Sequence, residues 1–246
     1  MSLLADKIHP IMCITQDNLP LTHAEQARRL CRAGAKWIQL RMKAAEPAEW
    51  LSTARLVAEI CSAHGAVCVI NDNVDIALAS GAHGVHLGRT DEDWTAARRR
   101  LGPHRILGGT VNNEHDAIAA ASSACLDYVG VGPWRFTATK KNLPPVLGVE
   151  STRTLLRLLG GIPAWVIGGV VAADLAGIRA AGAAGAAVSS ALFRDGAVEE
   201  NYRRLASAWL SAPEPRGHLS GDFPELPPAG QNPPSGDLGL AGGARG

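Results

Sequence analysis

Two kinds of segment alternate along this chain. Short runs of β-branched and other apolar residues are each followed by a longer segment whose apolar residues recur every three to four positions. The first pattern is typical of buried strands and the second of amphipathic helices. It predicts eight strands, at residues 8–14, 37–41, 66–71, 84–87, 105–108, 128–131, 164–167 and 186–189.

A predicted helix follows each of these strands. The eight helices are expected at 22–33, 47–64, 74–80, 92–101, 114–124, 151–159, 172–181 and 198–210. This alternation implies parallel strands joined by helices, and eight such units favour an α/β fold of the closed (β/α)8 TIM barrel type over residues 1–210. The alternative is an open doubly wound sheet, but Asp17 and Asn18 follow the first strand where the dinucleotide fingerprint G-x-G-x-x-G would begin.

The composition changes after Leu210. Residues 211–246 are dominated by Pro, Gly and Ser, with few apolar side chains. Such a segment buries too little apolar surface to offset the entropy lost on ordering. We therefore predict a disordered C-terminal tail over 211–246.

Overall charge and cysteine content narrow the class of protein. The net charge is +1, so no overall field attracts nucleic acid or an anionic membrane, and anion binding must come from local clusters. No apolar run approaches the roughly 20 residues of a membrane span, and no basic leader with an apolar stretch opens the chain. The five cysteines are odd in number and form no C-x-x-C pair. These features predict a cytoplasmic protein with reduced thiols and neither nucleic-acid nor membrane partners.

Cationic side chains end the second predicted strand. It runs into Gln39-Leu40-Arg41-Met42-Lys43, and strand alternation places Gln39, Arg41 and Lys43 on one side, facing the mouth of a barrel. Chemistry in this fold lies at the carboxyl ends of the strands. An amide and two cations suit a diphosphate. The alternative is an ordinary solvated strand end.

Two carboxylates follow the neighbouring strands. Asp72 comes directly after the third strand and Asp91 shortly after the fourth, so both lie close enough to share a cation. Mg2+ typically takes one or two carboxylates together with water and substrate phosphate. Helix N-capping would also satisfy both positions, and it is the preferred interpretation of Asp75.

The loop after the sixth strand is rich in hydroxyl and basic side chains. Thr137, Thr139 and Lys140 form a set suited to phosphate oxygens, although a surface loop would also explain them. Gly168 and Gly169 end the seventh strand, where backbone N–H groups can approach a phosphate closely. A tight glycine turn is the alternative there.

One histidine invites a catalytic interpretation. His86 lies between Val85 and Leu87 in the fourth strand, which favours a structural histidine in the barrel interior. The chain has neither a Ser-His-Asp order nor an H-E-x-x-H motif, so no hydrolase or zinc-protease chemistry is indicated.

Six motifs together resemble the thiamine phosphate synthase family, over about residues 8 to 195. They occur in the family's order: Gln39-Leu40-Arg41-Met42-Lys43, Asn71-Asp72, Gly84-Val85-His86-Leu87-Gly88, Asp127-Tyr128-Val129-Gly130, Thr137-Ala138-Thr139-Lys140 and Ile167-Gly168-Gly169. The resemblance implies a Mg2+-dependent enzyme that joins hydroxymethylpyrimidine diphosphate to a thiazole phosphate and releases pyrophosphate. Its partners would be phosphorylated small molecules.

The resemblance also implies residue roles. Asp72 and Asp91 would hold Mg2+, and Arg41, Lys43 and Lys140 would be catalytic. Substrate binding falls to Gln39, Leu40, Arg41, Met42, Lys43, Asn71, Thr110, Thr137, Ala138, Thr139, Lys140, Gly169, Ser189 and Ser190.

Three departures from the family pattern bear on substrate positioning. They are Arg89-Thr90-Asp91 for the usual Gln-Glu-Asp, Thr110-Val111-Asn112 for Ser-Thr-His, and Pro133-Trp134-Arg135-Phe136 for a more aliphatic stretch. Two other functions compete with the synthase. One is a related thiazole tautomerase, which needs a proton shuttle and no diphosphate or Mg2+ site; the retention of Asp72, Asp91 and Lys140 argues against it. The other is a catalytically silent thiazole- or thiamine-phosphate-binding regulator.

Overall fold

The computed structural model describes residues 9–43, 45–135 and 146–214, which contain a closed barrel of eight parallel strands. Each strand pairs with the next along the chain, and the eighth pairs with the first. The strands are β1 (Ile11–Ile14), β2 (Trp37–Leu40), β3 (Val67–Asn71), β4 (Gly84–Leu87), β5 (Ile106–Val111), β6 (Tyr128–Val131), β7 (Ala164–Ile167) and β8 (Gly185–Val188). The predicted TIM barrel is confirmed.

Helices follow the strands in the predicted order. They are α1 (His23–Arg32), α2 (Pro47–Ala63), α3 (Val74–Ser80), α4 (Trp94–Leu101), α5 (Glu114–Ser123), α6 (Gly148–Leu158), α7 (Leu175–Ala180) and α8 (Val198–Leu210). Short 3-10 helices lie at Ala172–Asp174, Ser190–Leu192 and Arg194–Gly196.

Polar side chains set where several helices begin. Thr22, Asn73, Asp93 and Asn113 each precede a helix and accept a hydrogen bond from a backbone N–H in its first turn. Such caps satisfy N–H groups that have no partner inside the helix. The cap at Asp93 explains why α4 begins at Trp94, two residues later than predicted.

Among the strands, β5 has the bounds that differ most from the prediction. The prediction ends this strand at Gly108, yet the strand continues through Gly109 to Val111. A Cβ at Gly108 would lie 2.3 Å from the ring of Tyr128, so glycine is required by close packing inside the barrel.

The core has two layers separated by the barrel wall. Alternate strand residues point outward and pack against the helices, as Leu40 and Ile70 do. The others point inward, where the rings of Trp37, Tyr128 and Trp165 pack together with centroids 4.9 to 5.8 Å apart. Tyr128 contacts both indoles edge to face, and the two indoles are tilted against each other. This inner layer fills the barrel beneath its carboxyl end.

All five cysteines are free thiols, and four of them are buried. None of the described helices is long and apolar enough to cross a membrane. The chain beyond α8 is described only as far as Glu214. Arg179 donates hydrogen bonds to the carbonyl oxygen of Trp209 in the last turn of α8 and to that of Ala212 just after it. The rest of the predicted tail lies outside the described residues.

Candidate active site

A cavity of about 550 Å3 opens at the carboxyl ends of the strands. Its wall combines side chains from the ends of all eight strands and the turns that follow them. The lining comprises Ile14, Gln39, Arg41, Lys43, Asn71, Asp72, His86, Gly88, Arg89, Thr90, Asp91, Thr110, Asn112, Gly132, Pro133, Ile167, Gly168, Gly169, Val170, Ala187, Ser189 and Ser190.

Most of the predicted site residues meet in this cavity. Gln39, Arg41, Lys43, Asn71, Asp72, Asp91, Thr110, Gly169, Ser189 and Ser190 all line it. The side chains of Leu40 and Met42 instead lie in the outer core between strands and helices, because strand alternation turns them away from the barrel interior. Residues 137–140 lie outside the described residues, so the roles predicted for Thr137, Ala138, Thr139 and Lys140 stay predictions.

The backbone around the two cations is held from β1. The Arg41 N–H donates to Thr15 Oγ1 at 3.1 Å, and the Lys43 N–H donates to Asp17 Oδ2 at 3.1 Å. Thr15 is fully buried. The segment that carries the cations is therefore fixed at two points after β2 ends.

His23 joins those two anchors. Its Nδ1 lies 2.8 Å from Thr15 Oγ1, and its Nε2 lies 3.0 Å from Asp17 Oδ1. The carboxylate can only accept, so Nε2 carries the proton and Nδ1 accepts from the threonine hydroxyl. Burial lowers the pKa of His23, while Asp17 opposes this shift, and a neutral ring agrees with this direction of hydrogen bonding.

Asp72 and Asp91 form a pair of neighbouring carboxylates. Asp72 has a left-handed backbone (φ 68°) and is paired with the ammonium of Lys43. Asp91 accepts a hydrogen bond from the Gly88 N–H at 2.6 Å. Burial raises the pKa of Asp91, and Asp72 raises it further through its charge and a hydrogen bond. The hydrogen bond from Gly88 and the charge of Lys43 oppose this shift. Two neighbouring carboxylates form a suitable place for a hard divalent cation.

His86 belongs to a buried polar cluster at the bottom of the cavity. Its ring nitrogens lie 3.0 Å from Tyr128 Oη and 3.0 Å from Thr110 Oγ1. Burial raises the pKa of Tyr128, which keeps the phenol protonated. The cluster supports the sequence interpretation of His86 as a structural histidine, and it also places Thr110 in the cavity wall.

The turns after β7 and β8 present backbone and hydroxyl groups to the opposite side of the cavity. Gly168 and Gly169 have φ values of 102° and 67°, which glycine adopts without steric cost. A Cβ at Gly168 would lie 2.8 Å from Pro133, so the turn packs directly on the start of the β6–α6 loop. Ser189 and Ser190 follow β8 beside it.

Both ends of the β6–α6 loop are joined to the barrel. Trp134 and Arg135 donate backbone hydrogen bonds to the carbonyl oxygens of Ile167 and Gly168, at 2.8 and 2.9 Å. At the far end, the Leu147 N–H donates to the Pro133 carbonyl oxygen at 2.9 Å. The guanidinium of Arg135 also binds both oxygens of Asp174.

Arg89, Thr90 and Asn112 are cavity residues to which the sequence assigned no role. They entered the sequence analysis only as departures from a family pattern. Only their positions, each shortly after the end of a strand, could have indicated from the sequence that they line the cavity. The apolar contributors Ile14, Ile167 and Ala187 carried no signal, because inward and outward apolar residues of a short strand look alike in sequence.

Fold and cavity together define a TIM-barrel enzyme with its site at the strand carboxyl ends. More particularly, the chain belongs to the thiamine monophosphate synthase family, whose model matches residues 11–192. The family resemblance predicted from the sequence is thereby confirmed.

Individual relatives agree with this placement. The thiamine-phosphate synthase of Myxococcus xanthus is 40% identical over 201 residues, covering 81% of this chain and 91% of that protein. That of Bacteroides fragilis is 42% identical over 143 residues, 58% of this chain and 70% of that protein. Among solved structures, thiamine phosphate pyrophosphorylase from Pyrococcus furiosus superposes with a TM-score of 0.75 at 27% identity, covering 82% of this chain and 96% of that one.

Proposed function

We propose that this chain is a transferase that joins hydroxymethylpyrimidine diphosphate to a thiazole phosphate, forming thiamine phosphate and pyrophosphate. Family membership and relatives named thiamine-phosphate synthase support this reaction. The observation that carries it within the structure is the convergence of Arg41, Lys43, Asp72 and Asp91 on one side of the cavity.

The reaction begins with departure of the diphosphate. The C–O bond between the pyrimidine methylene and the diphosphate breaks, and the oxygen keeps the electron pair. The thiazole nitrogen then donates its lone pair to the resulting pyrimidine-stabilised cation and forms the new C–N bond. Neither step requires a strong base, so what accelerates the reaction is stabilisation of negative charge on the leaving group. Arg41 and Lys43 provide fixed cations for that purpose.

Asp72 and Asp91 are the residues that fit a divalent metal. Their carboxylates adjoin, one is buried enough to have a raised pKa, and both line the cavity beside Lys43. When bound, Mg2+ supplies positive charge to the diphosphate oxygens. Because the Lys43 ammonium is paired with Asp72, the lysine side chain is held in place before substrate binds.

The other half of the cavity suits the thiazole phosphate. Glycine backbone at Gly169 and hydroxyls at Ser189 and Ser190 offer donors to a phosphate, as barrels of this class commonly do after their last two strands. Apolar side chains also line the cavity, namely Ile14, Ile167, Val170 and Ala187. They exclude water, which would otherwise capture the cation.

The arrangement disfavours a tautomerase. Such an enzyme needs a group that accepts and returns a proton, and the histidine in the cavity wall is enclosed between a threonine hydroxyl and a tyrosine hydroxyl. The paired carboxylates beside two cations would also have no purpose in that chemistry.

The test is an assay of the purified chain with both substrates, with and without Mg2+, following thiamine phosphate and pyrophosphate. We expect both products to form together and only with the metal. Arg99→Gln, an exposed change outside the cavity, serves as the matched surface control. Binding of both substrates without turnover would identify a silent regulator, and conversion of the thiazole alone would identify a tautomerase.

A further inference from the structure

Arg89 and Asn112, which both depart from the family pattern, contact the same carboxylate, that of Asp116. Asp116, in the first turn of α5, is only 4% exposed. Its Oδ1 lies 3.1 Å from the Nε of Arg89, and its Oδ2 accepts the Asn112 N–H at 2.9 Å. Arg89 follows β4 and Asn112 follows β5, so the two altered positions are linked across neighbouring strands.

Asp116 cannot easily turn away from this contact. Its own N–H donates to the side chain of Asn113, which caps the helix. The Asn112 side chain in turn donates to the carbonyl oxygen of Gly132, which ties the same group to β6. A buried carboxylate without a cationic partner is strongly unfavourable, so the site holds the Nε edge of Arg89.

The contact with Asp116 encloses the Arg89 side chain only partly. The side chain is 49% exposed, and Arg89 belongs to the cavity wall. Within the described part of the chain, its Nη1 and Nη2 atoms donate no hydrogen bond to protein. The backbone beside it is fixed as well, because the Gly88 N–H donates to Asp91. A guanidinium held along one edge leaves its other donors pre-oriented for an anion.

We propose that Arg89 is a third cation of the diphosphate subsite and binds the leaving group directly. This inference rests on the proposed function. Arg89 is assigned to the diphosphate rather than to the thiazole phosphate because it lies two residues before Asp91, one of the two carboxylates proposed to hold Mg2+. Gly169 and Ser189 lie after β7 and β8, on the far side of the barrel.

The charge balance at the cavity supports a cation here. Lys43 is paired with Asp72, so part of its charge is already compensated. Asp91 adds a second carboxylate on the same side. Arg89 adds a guanidinium on this side, and the contact of its Nε with Asp116 keeps it in place.

The experiment is calorimetric binding of pyrophosphate with Mg2+ to the full chain, combined with KM values for each substrate. Arg89→Gln restores the neutral amide usual in the family and should weaken pyrophosphate binding about tenfold, as expected for loss of one charged hydrogen-bonding group. KM for the pyrimidine diphosphate should rise by a similar factor, and KM for the thiazole phosphate should not change. Arg99→Gln is the matched control and should bind as the wild type does.

Two further variants keep the test decisive. Arg89→Lys preserves a charge without the planar fork and should lie between wild type and Arg89→Gln. Asp116→Asn keeps the arginine but weakens its anchor, so it should also give an intermediate loss; thermal melting of each variant checks folding. If Arg89→Gln binds pyrophosphate as tightly as wild type, or if only the thiazole KM changes, the inference is wrong and the synthase proposal stands. If the wild type itself binds no pyrophosphate with Mg2+, the proposed function fails.

Discussion

The two ends of the barrel interior differ sharply although the same eight strands form both. Below the middle of the strands, Trp37, Tyr128 and Trp165 fill the interior, and glycines on adjacent strands make room for them; a Cβ at Gly185 would lie 2.3 Å from the indole nitrogen of Trp165. At the carboxyl end the interior opens into the cavity of about 550 Å3 with charged walls.

The aromatic layer therefore contributes mainly to stability, and the carboxyl end of the barrel contributes mainly to function. The aromatic layer contributes buried apolar area, whereas the mouth places like charges side by side and holds Asp72 in a left-handed backbone conformation. His86 lies at the boundary, since it contacts Tyr128 below and Thr110 above. Substitutions in the lower layer should therefore change folding, and substitutions above His86 should change turnover.

The largest effect is expected in the lower layer. Trp165→Ala removes a fully buried indole and should lower the free energy of unfolding by about 3–5 kcal/mol. Urea denaturation measures this loss. The activity of the remaining folded protein should stay near that of the wild type, and a Trp165→Ala protein with unchanged stability would contradict the division proposed here.

The next effect belongs to the mouth. Asp72→Ala and Asp91→Ala should each lower kcat by about 10^2- to 10^3-fold, as loss of an electrostatic group at a reacting centre does. Asp72→Asn is the better matched variant, because asparagine tolerates the left-handed backbone that alanine does not. Full turnover in both alanine variants would show that the metal assignment is wrong.

A smaller effect is expected at His23, below the cations. His23→Ala leaves the buried Thr15 hydroxyl without its acceptor and should reduce kcat/KM for the pyrimidine diphosphate by about tenfold and stability by about 1–3 kcal/mol. His23→Gln can donate to Asp17 and accept from Thr15, so it should recover most of the activity. Equal losses in the two variants would argue that the ring is needed only for packing.

The pH dependence of stability sharpens this prediction. Burial lowers the pKa of His23 in the folded state, so the unfolded chain binds that proton more tightly. Stability should therefore fall as the pH drops below about 6.5 and continue to fall down to the folded pKa. His23→Gln lacks this contribution, and the stability difference between wild type and variant should shift in favour of the variant over that range, as measured by denaturation at each pH.

The smallest effect is expected from the C-terminus. Removal of the residues after Ala212 should leave activity unchanged, because no cavity residue within the described part of the chain lies beyond Ala212. The ion pair between Arg179 and the exposed Glu214 would be lost, at a cost within about 1 kcal/mol. A large loss of activity in the truncated protein would place the tail in the site.

The sequence predicted the fold well because the barrel depends on periodicity. Eight apolar runs and eight amphipathic segments were enough to identify all eight strand–helix units. Periodicity could not predict that β5 continues past Gly108, because the Tyr128 ring that requires glycine there lies on another strand.

The sequence predicted those parts of the candidate site in which the residue type itself indicates the chemistry. Arg41, Lys43, Asp72 and Asp91 are charged residues at strand ends, and all of them line the cavity. The link between Arg89 and Asn112 could not be found in this way. Asp116 reads as an ordinary acidic residue in the first turn of a helix, and only the packing of α5 brings it to both.

The hydrogen bond from Leu147 to Pro133 has a consequence for how this barrel could diversify. This bond brings the two ends of the β6–α6 loop together. The backbone hydrogen bonds to Ile167 and Gly168 hold the start of the loop at the end of β7. Since lengthening an already closed loop adds little entropic cost, the length of this connection can change with little effect on the stability of the barrel. Exchange of its residues would instead remove Thr137, Thr139 and Lys140, which are predicted to bind substrate.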